Sequence, residues 1–265
     1  MFDSFNRRIN YLRISVTDRC NLRCTYCMPA AGVKLIPRER ILSSDEIVEI
    51  TRIAVEMGVT KVRITGGEPL VRRRIVELVE RVARIDGVED FGMTSNAIAL
   101  PQFAKPLFDA GLHRLNISLD TMDPQRFREL TRCGKLEDVV AGIDAAIDAG
   151  FDSIKLNCVI EESSDEPDAR GVTAFGAERG LQVRYIRKMN LATGEFWQVE
   201  GGDGGKCSTC SRLRLSSDGK LYPCLFSDLS YDVRELGIET AIRQALIGKP
   251  QSGQRATREF NTLGG

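Results

Sequence analysis

Six of the eight cysteines fall into two sets. Cys20-Asn-Leu-Arg-Cys24-Thr-Tyr-Cys27 lies near one end, and Cys207-Ser-Thr-Cys210 with Cys224 near the other. Clustered thiols in a reducing compartment read as metal or catalytic sites before disulfides. Three thiolates can each hold one iron of a cubane 4Fe–4S cluster, leaving the fourth iron open. Structural zinc wants a fourth ligand, and no cysteine or histidine lies near the first set. On spacing alone the second set fits a zinc ribbon lacking one ligand equally well. The single histidine, His113, excludes a histidine-rich metal site. It precedes a strand and reads as a cap or a packed residue, and Cys133 and Cys158 read as small apolar groups.

The chain around these residues alternates strand and helix patterns. Leu12–Val16, Lys61–Thr65, Phe91–Thr94, Arg114–Leu119, Ile154–Ile160 and Leu181–Ile186 are strand-like. Ser43-Ser44-Asp45-Glu46 caps a helix with Ile47, Ile50, Ile53, Ala54 and Met57 on its apolar face. Further helices are expected over 75–85, 102–110, 136–149 and 168–179. Six such units predict an α/β fold with a parallel sheet, two units short of a (β/α)8 barrel: a partial (β/α)6 barrel over 1–192. Its site would lie at the C-terminal strand ends, where the first cysteine set follows the first strand. A small C-terminal domain over 193–265 would carry the second set. In it, the glycine-rich Gly194–Lys206 reads as a flexible connection, Ser217-Asp218-Gly219-Lys220 as a hairpin turn, 233–247 as one helix and Lys249–Gly265 as a frayed end.

Composition bounds the function. Thirty-seven basic residues balance thirty-seven acidic ones, so no net field favours nucleic acid or an anionic membrane. At 42% apolar and 28% charged, the chain is an ordinary globular protein. No apolar run approaches the roughly 20 residues of a membrane span, and Met1-Phe-Asp-Ser-Phe-Asn-Arg-Arg does not read as a signal peptide. A cytoplasmic protein is expected.

The CxxxCxxC loop with Tyr26 before its last cysteine, and Gly66-Gly67-Glu68-Pro69 after the second strand, resemble the radical S-adenosylmethionine (SAM) superfamily. The resemblance implies that the open iron on Cys20, Cys24 and Cys27 chelates SAM, and that one electron splits a carbon–sulfur bond to give a 5′-deoxyadenosyl radical. Glycine lets the backbone approach a ligand, and the amides and carbonyls of Gly66, Gly67 and Glu68 could then pair with the SAM amino group. Thr94 and Ser118 fall where the family has hydroxyl contacts to SAM, with Asn96 a further candidate.

Residues 210–226, with Leu12–Cys20 and the terminal Gly264-Gly265, resemble one family within it, the GTP 3′,8-cyclases of molybdenum cofactor biosynthesis. This implies a second 4Fe–4S cluster on Cys207, Cys210 and Cys224 that binds the purine of GTP. Arg212 and Arg214 would hold substrate, and Arg13, Lys61, Arg63, Lys155 and Arg184 would grip the triphosphate. Strand-borne cations pointing into a barrel favour an anionic substrate, because an unpaired buried charge is costly. Partners would be a nucleotide and an electron donor such as flavodoxin or ferredoxin.

Three departures from the family stand out: a shortened Thr193–Lys206 segment, Arg187-Lys188 in place of an acidic and an aromatic residue, and Ser95-Asn96-Ala97 in place of Thr-Asn-Gly. They keep open a two-cluster enzyme acting on another substrate, a modified nucleotide or a peptide. An iron–sulfur electron carrier or zinc-binding adaptor is the non-enzyme alternative.

Overall fold

The computed structural model describes residues 1–258, Phe260 and Leu263. The terminal Gly264-Gly265 lies outside the described residues. Six parallel strands form the body of one sheet: β1 (Tyr11–Ser15), β2 (Lys61–Thr65), β3 (Asp90–Ser95), β4 (Arg114–Ser118), β5 (Ser153–Ile160) and β6 (Gln182–Arg187). Between them run α1 (Ser44–Glu56), α2 (Ile75–Ala83), α3 (Leu100–Asp109), α4 (Pro124–Thr131), α5 (Leu136–Asp148) and α6 (Pro167–Glu178). Ser43 caps α1 through a reciprocal box: its hydroxyl accepts from the Glu46 N–H and its own N–H donates to the Glu46 carboxylate.

The free edge of β1 is taken by β7 (Arg212–Leu215), which pairs with it in parallel. β7 turns back into β8 (Lys220–Tyr222), and β9 (Tyr231–Asp232) follows, giving the order β6-β5-β4-β3-β2-β1-β7-β8-β9. The sheet therefore runs across the 192/193 division. Its outer face is apolar, with Leu12, Ile14, Val62, Ile64, Leu213 and Leu215 buried in the main core. On the inner face the alternate residues are Tyr11, Arg13, Lys61, Arg63, Arg212 and Arg214. A closed barrel fills its interior with branched apolar side chains. This interior is polar and hollow.

Several expectations are corrected. The 194–206 segment is a folded strap along β6: Tyr185 and Glu200 exchange backbone hydrogen bonds, and the Trp197 ring lies 4.2 Å under the Arg187 guanidinium. Its glycines serve close contact, since Gly205 has φ +80° and a Cβ there would overlap the Trp197 carbonyl. The tail is also tied down. Ala256 N–H donates to Leu191 O at 2.8 Å, and Ala256 and Leu263 join a second small core with Leu191, Tyr222, Leu225 and Phe226. Gly237, at φ +79°, breaks the expected last helix into α7 (Val233–Leu236) and α8 (Ile238–Ile247). His113 and Cys133 are exposed, whereas Cys158 is buried. Among the described residues, no helix is long and apolar enough to cross a membrane.

Candidate active site

Two adjacent cavities occupy the hollow, one toward each end of the strands. They share Asn157, Ile186 and Met189 as wall residues. The upper cavity, about 180 Å³, lies at the C-terminal strand ends and is lined by Cys20, Cys24 and Cys27. Their loop is held in place by α4, a helix the sequence reading did not foresee: Arg23 N–H donates to Thr131 O and Thr25 N–H to Leu130 O. The Asp123-Pro124 pair, an N-cap followed by proline, was the available sign of that helix. Leu22 N–H points at Cys20 Sγ, 3.3 Å away. Burial pushes the Cys20 thiol up to about 11 and Cys27 up to about 12, and raises Cys24 further. Thiols raised in this way become thiolates on binding a metal.

The GGEP turn is placed against the cysteine loop. A Cβ on Gly66 would come within 2.6 Å of Thr17 O, and one on Gly67 would overlap Arg19 O. The missing side chains thus make room for protein backbone. The Gly67 and Glu68 amides are already spent on Thr17 O and Arg19 O, at 2.7 and 2.8 Å. Glu68 is fully buried, and its carboxylate accepts from Ser95 Oγ, Asn96 N–H and Leu70 N–H. Burial outweighs these bonds and pushes its carboxyl up to about 7. Glu68 is therefore a brace between β2 and β3; the expected pairing of these amides with the SAM amino group is corrected, and the carbonyls alone remain for it. Thr94 and Ser118 line the same cavity, and Thr94 Oγ1 is buried with no hydrogen-bond partner. Asn96 donates to Asn21 Oδ1 at 2.7 Å, inside the cysteine loop. Tyr26 Oη donates to Asp120 at 2.6 Å, and Asp120 also accepts from Val159 N–H. Asp120 was missed, although an acid directly after a strand was its sign.

The lower cavity, about 300 Å³, is lined by Cys207, Cys210 and Cys224 and by Arg13, Lys61, Arg63, Arg184, Arg212 and Arg214. Sheet register explains the convergence: Arg214, Arg13, Arg63, Gly92 and Arg114 stand side by side across β7, β1, β2, β3 and β4. Gly92 leaves the space into which the Arg63 guanidinium folds. Asp90 and Asp203 are the acidic residues among the described lining. Asp90 is engaged by Arg114 at 2.8 Å. Arg63 Nη1 and Arg184 Nε are buried without hydrogen-bond partners. Burial lowers the pKa of Arg13 and Arg184 and brings Arg214 down to about 9. Burial alone would raise the Tyr11 phenol, yet Arg13, Arg63 and Arg212 pull it down to about 7. Lys155 shares the inward face of β5 with Asn157 and is partly exposed, in the field of Arg184, Arg114 and Arg63, and is not itself part of the cavity lining. Tyr11 and Arg114, both on the wall, were missed.

Residues 14–169 match the family profile described as Radical SAM superfamily.

The chain belongs to the radical SAM superfamily.

Relatives extend the match over the rest of this radical SAM enzyme. It is 39% identical over 322 residues to a GTP 3′,8-cyclase of Thermodesulfovibrio yellowstonii, covering all of both chains. It is 38% identical to one from Pseudomonas putida, over 94% of this chain and 91% of that one. The 322-residue alignment of a 265-residue chain bridges stretches that this chain lacks. Solved structures show the fold alone. Streptococcus suis SuiB bound to precursor peptide SuiA superposes with TM-score 0.69 at 16% identity, over 96% of this chain and 68% of SuiB. Native anSMEcpe with bound AdoMet gives 0.62 at 15% identity, over 91% and 81%.

The superfamily implies SAM and one 4Fe–4S cluster, and the upper cavity fits both. Three cysteines on one loop, a backbone amide aimed at a sulfur and an orphaned Thr94 hydroxyl on the wall are the donor set such a group requires. Among the described residues, no group of three His, Cys, Asp or Glu side chains is arranged to hold a single metal ion. A zinc ion would draw three sulfurs to about 2.3 Å from one point, whereas a cubane spreads them over three irons.

The departures are visible in the geometry. Ala97 takes the left-handed backbone that glycine takes freely, at φ +66°. Its carbonyl fits over Gly142 of α5, where a Cβ would overlap it. Arg187 and Lys188 line the upper cavity, and Lys188 pairs with Glu161 at 2.9 Å.

Proposed function

We propose that the chain is a GTP 3′,8-cyclase carrying two 4Fe–4S clusters, the second on Cys207, Cys210 and Cys224. The observation that carries this reading is the lower cavity: a row of half-buried and buried arginines facing three cysteines across a space of about 300 Å³, with two carboxylates against them. A triphosphate would satisfy the unpartnered Arg63 and Arg184 nitrogens by charge-assisted hydrogen bonds. The relatives' names point the same way.

The protein's own part is to orient and enclose. Arg13, Arg63, Arg184, Arg212 and Arg214 would fix the phosphates, and the ribose would lie toward Asn157, Ile186 and Met189, the wall that the two cavities share. The clusters and SAM, when bound, supply the electron and the hydrogen-abstracting radical, and an external one-electron donor such as flavodoxin or ferredoxin reduces them. The strap carrying Trp197 forms one side of this cavity.

The test is to incubate reduced protein with SAM and GTP deuterated at C3′. Deuterium in the 5′-deoxyadenosine, together with a cyclised guanosine product, supports the cyclase. SAM cleavage without deuterium transfer and without GTP binding assigns another substrate.

A further inference from the structure

Three cations grip the backbone around the second cysteine set. Arg7, from the N-terminal turn, donates to Cys207 O at 2.9 Å and to Gln251 O and Pro250 O of the tail. Arg258 donates to Cys224 O at 3.1 Å. Lys249 donates to Arg212 O at 2.7 Å and to Pro223 O at 2.6 Å, beside Cys210 and Cys224. Arg7 has a carboxylate, Asp3, at 2.6 Å, and Arg258 has Asp228 at 3.4 Å. Lys249 is 3% exposed and, among the described residues, pairs with no carboxylate.

A buried ammonium held by carbonyls and one thiol, as Lys249 is by Arg212 O, Pro223 O and Cys210, is costly unless a negative charge lies nearby. Among the described residues no carboxylate is paired with it, and what Lys249 faces is sulfur. A cubane held by three thiolates is a net anion, and each added electron deepens its charge. The first set lies in the opposite field, near the carboxyls of Glu68 and Asp120. From the position of Lys249 against Cys210 and Cys224, with no paired carboxylate among the described residues, we infer that it is the built-in charge partner of the C-terminal cluster, positioning and retaining that cluster. This rests on the two-cluster reading above. Lys249 is thereby a positioning residue: it acts through the cluster and touches no reacting atom.

The test compares Lys249→Met with Lys249→Gln, since glutamine keeps a hydrogen-bond donor and loses the charge. Both are made in the full chain and in a Cys24→Ala background, where only the C-terminal cluster remains. The expected result is that both variants release iron from that cluster to a chelator about tenfold faster than wild type, the lower end for residues that support metal ligands. Both should also lower its reduction potential, because a lost positive charge disfavours the reduced form. The metal-free chains should melt no lower than wild type, since the unpaired charge is gone.

Glutamine restoring wild-type release and potential would reduce Lys249 to a carbonyl bridge and overturn the inference. Equal release rates and potentials in all three proteins would overturn it too, leaving the two-cluster reading intact. A Cys24→Ala chain that holds no cluster, or zinc in its place, would overturn both.

Discussion

Gly92→Ala tests the arginine row without removing any charge. An alanine Cβ would stand 2.7 Å from Arg63 Cζ and 2.9 Å from Arg114 O. Both are inside van der Waals contact, so something must move. The Arg114 carbonyl belongs to the β3–β4 ladder, whereas the guanidinium is the far end of a flexible side chain. Arg63 therefore yields, leaving its contact with Tyr11 Oη at 3.3 Å and its approach to Asp90 at 3.9 Å. Overpacking a filled site costs about 1–3 kcal/mol of stability, and about 2–4 °C of Tm accompanies each kcal/mol in a chain of this size. The functional loss is one charged hydrogen bond to phosphate, about 1.5–3 kcal/mol, or roughly 10- to 150-fold in Kd. Equilibrium dialysis of GTP against anaerobically reconstituted protein measures it. SAM cleavage should persist, because the upper cavity does not include Gly92. Unchanged GTP affinity in a folded variant would refute the claim that Arg63, placed by Gly92, holds the triphosphate.

The cysteine sets should separate by role: Cys27→Ala abolishes SAM cleavage, while Cys207→Ala keeps part of it and loses product. Chromatography of 5′-deoxyadenosine and of the guanosine product checks this, and loss of cleavage in Cys207→Ala with the first cluster intact would contradict it. Glu68 gives a pH dependence. Its carboxyl, pushed up to about 7, binds a proton in the folded chain that the unfolded chain releases near 4.5. Its stability contribution is therefore complete below about 4.5 and lost as pH rises to about 7. The Tm of the metal-free chain should fall across that window less steeply in Glu68→Gln, and equal slopes would count against it. Ser43→Ala removes the hydroxyl half of the α1 capping box, costing about 1 kcal/mol, while SAM cleavage stays unchanged.

Much of this was legible in the chain. The first six strands follow from short β-branched and apolar runs, and α1 from its capping box, because those are local properties. The inward face of Arg13, Arg63, Arg212 and Arg214 follows from period-two alternation. What could not be read was long-range. Nothing near Arg212 announces that β7 joins β1 in parallel, so the arginine row across five strands had no local sign. The glycines of the strap misled for a related reason. Gly194 and Gly205 signal positive φ, and a tight packed contact needs that as much as a flexible link does. The backbone of Glu68 was read as a SAM contact from its motif; two of the three donors to its carboxylate, Ser95 Oγ and Asn96 N–H, come from the end of β3 and have no sign near the motif.

The pairing of Arg13 with Arg214 has a bearing on how the protein is made. At a synthesis rate of about 5–20 residues per second, the ribosome needs roughly 10–40 s to travel from one to the other. For that time β1 waits with an open hydrogen-bonding edge that alternates apolar Leu12 and Ile14 with Tyr11 and Arg13, a template for pairing with another chain. The lower cavity does not exist in this interval, since β7, Lys249 and Gly253 are part of its wall. The first cysteine loop can form on a nascent chain, whereas the three cysteines of the second set come together only after β7 and β8 have been made. Truncation ahead of β7 would leave a barrel with its seam open, prone to self-association, and expression of residues 1–192 alone should yield aggregate in place of a half-enzyme.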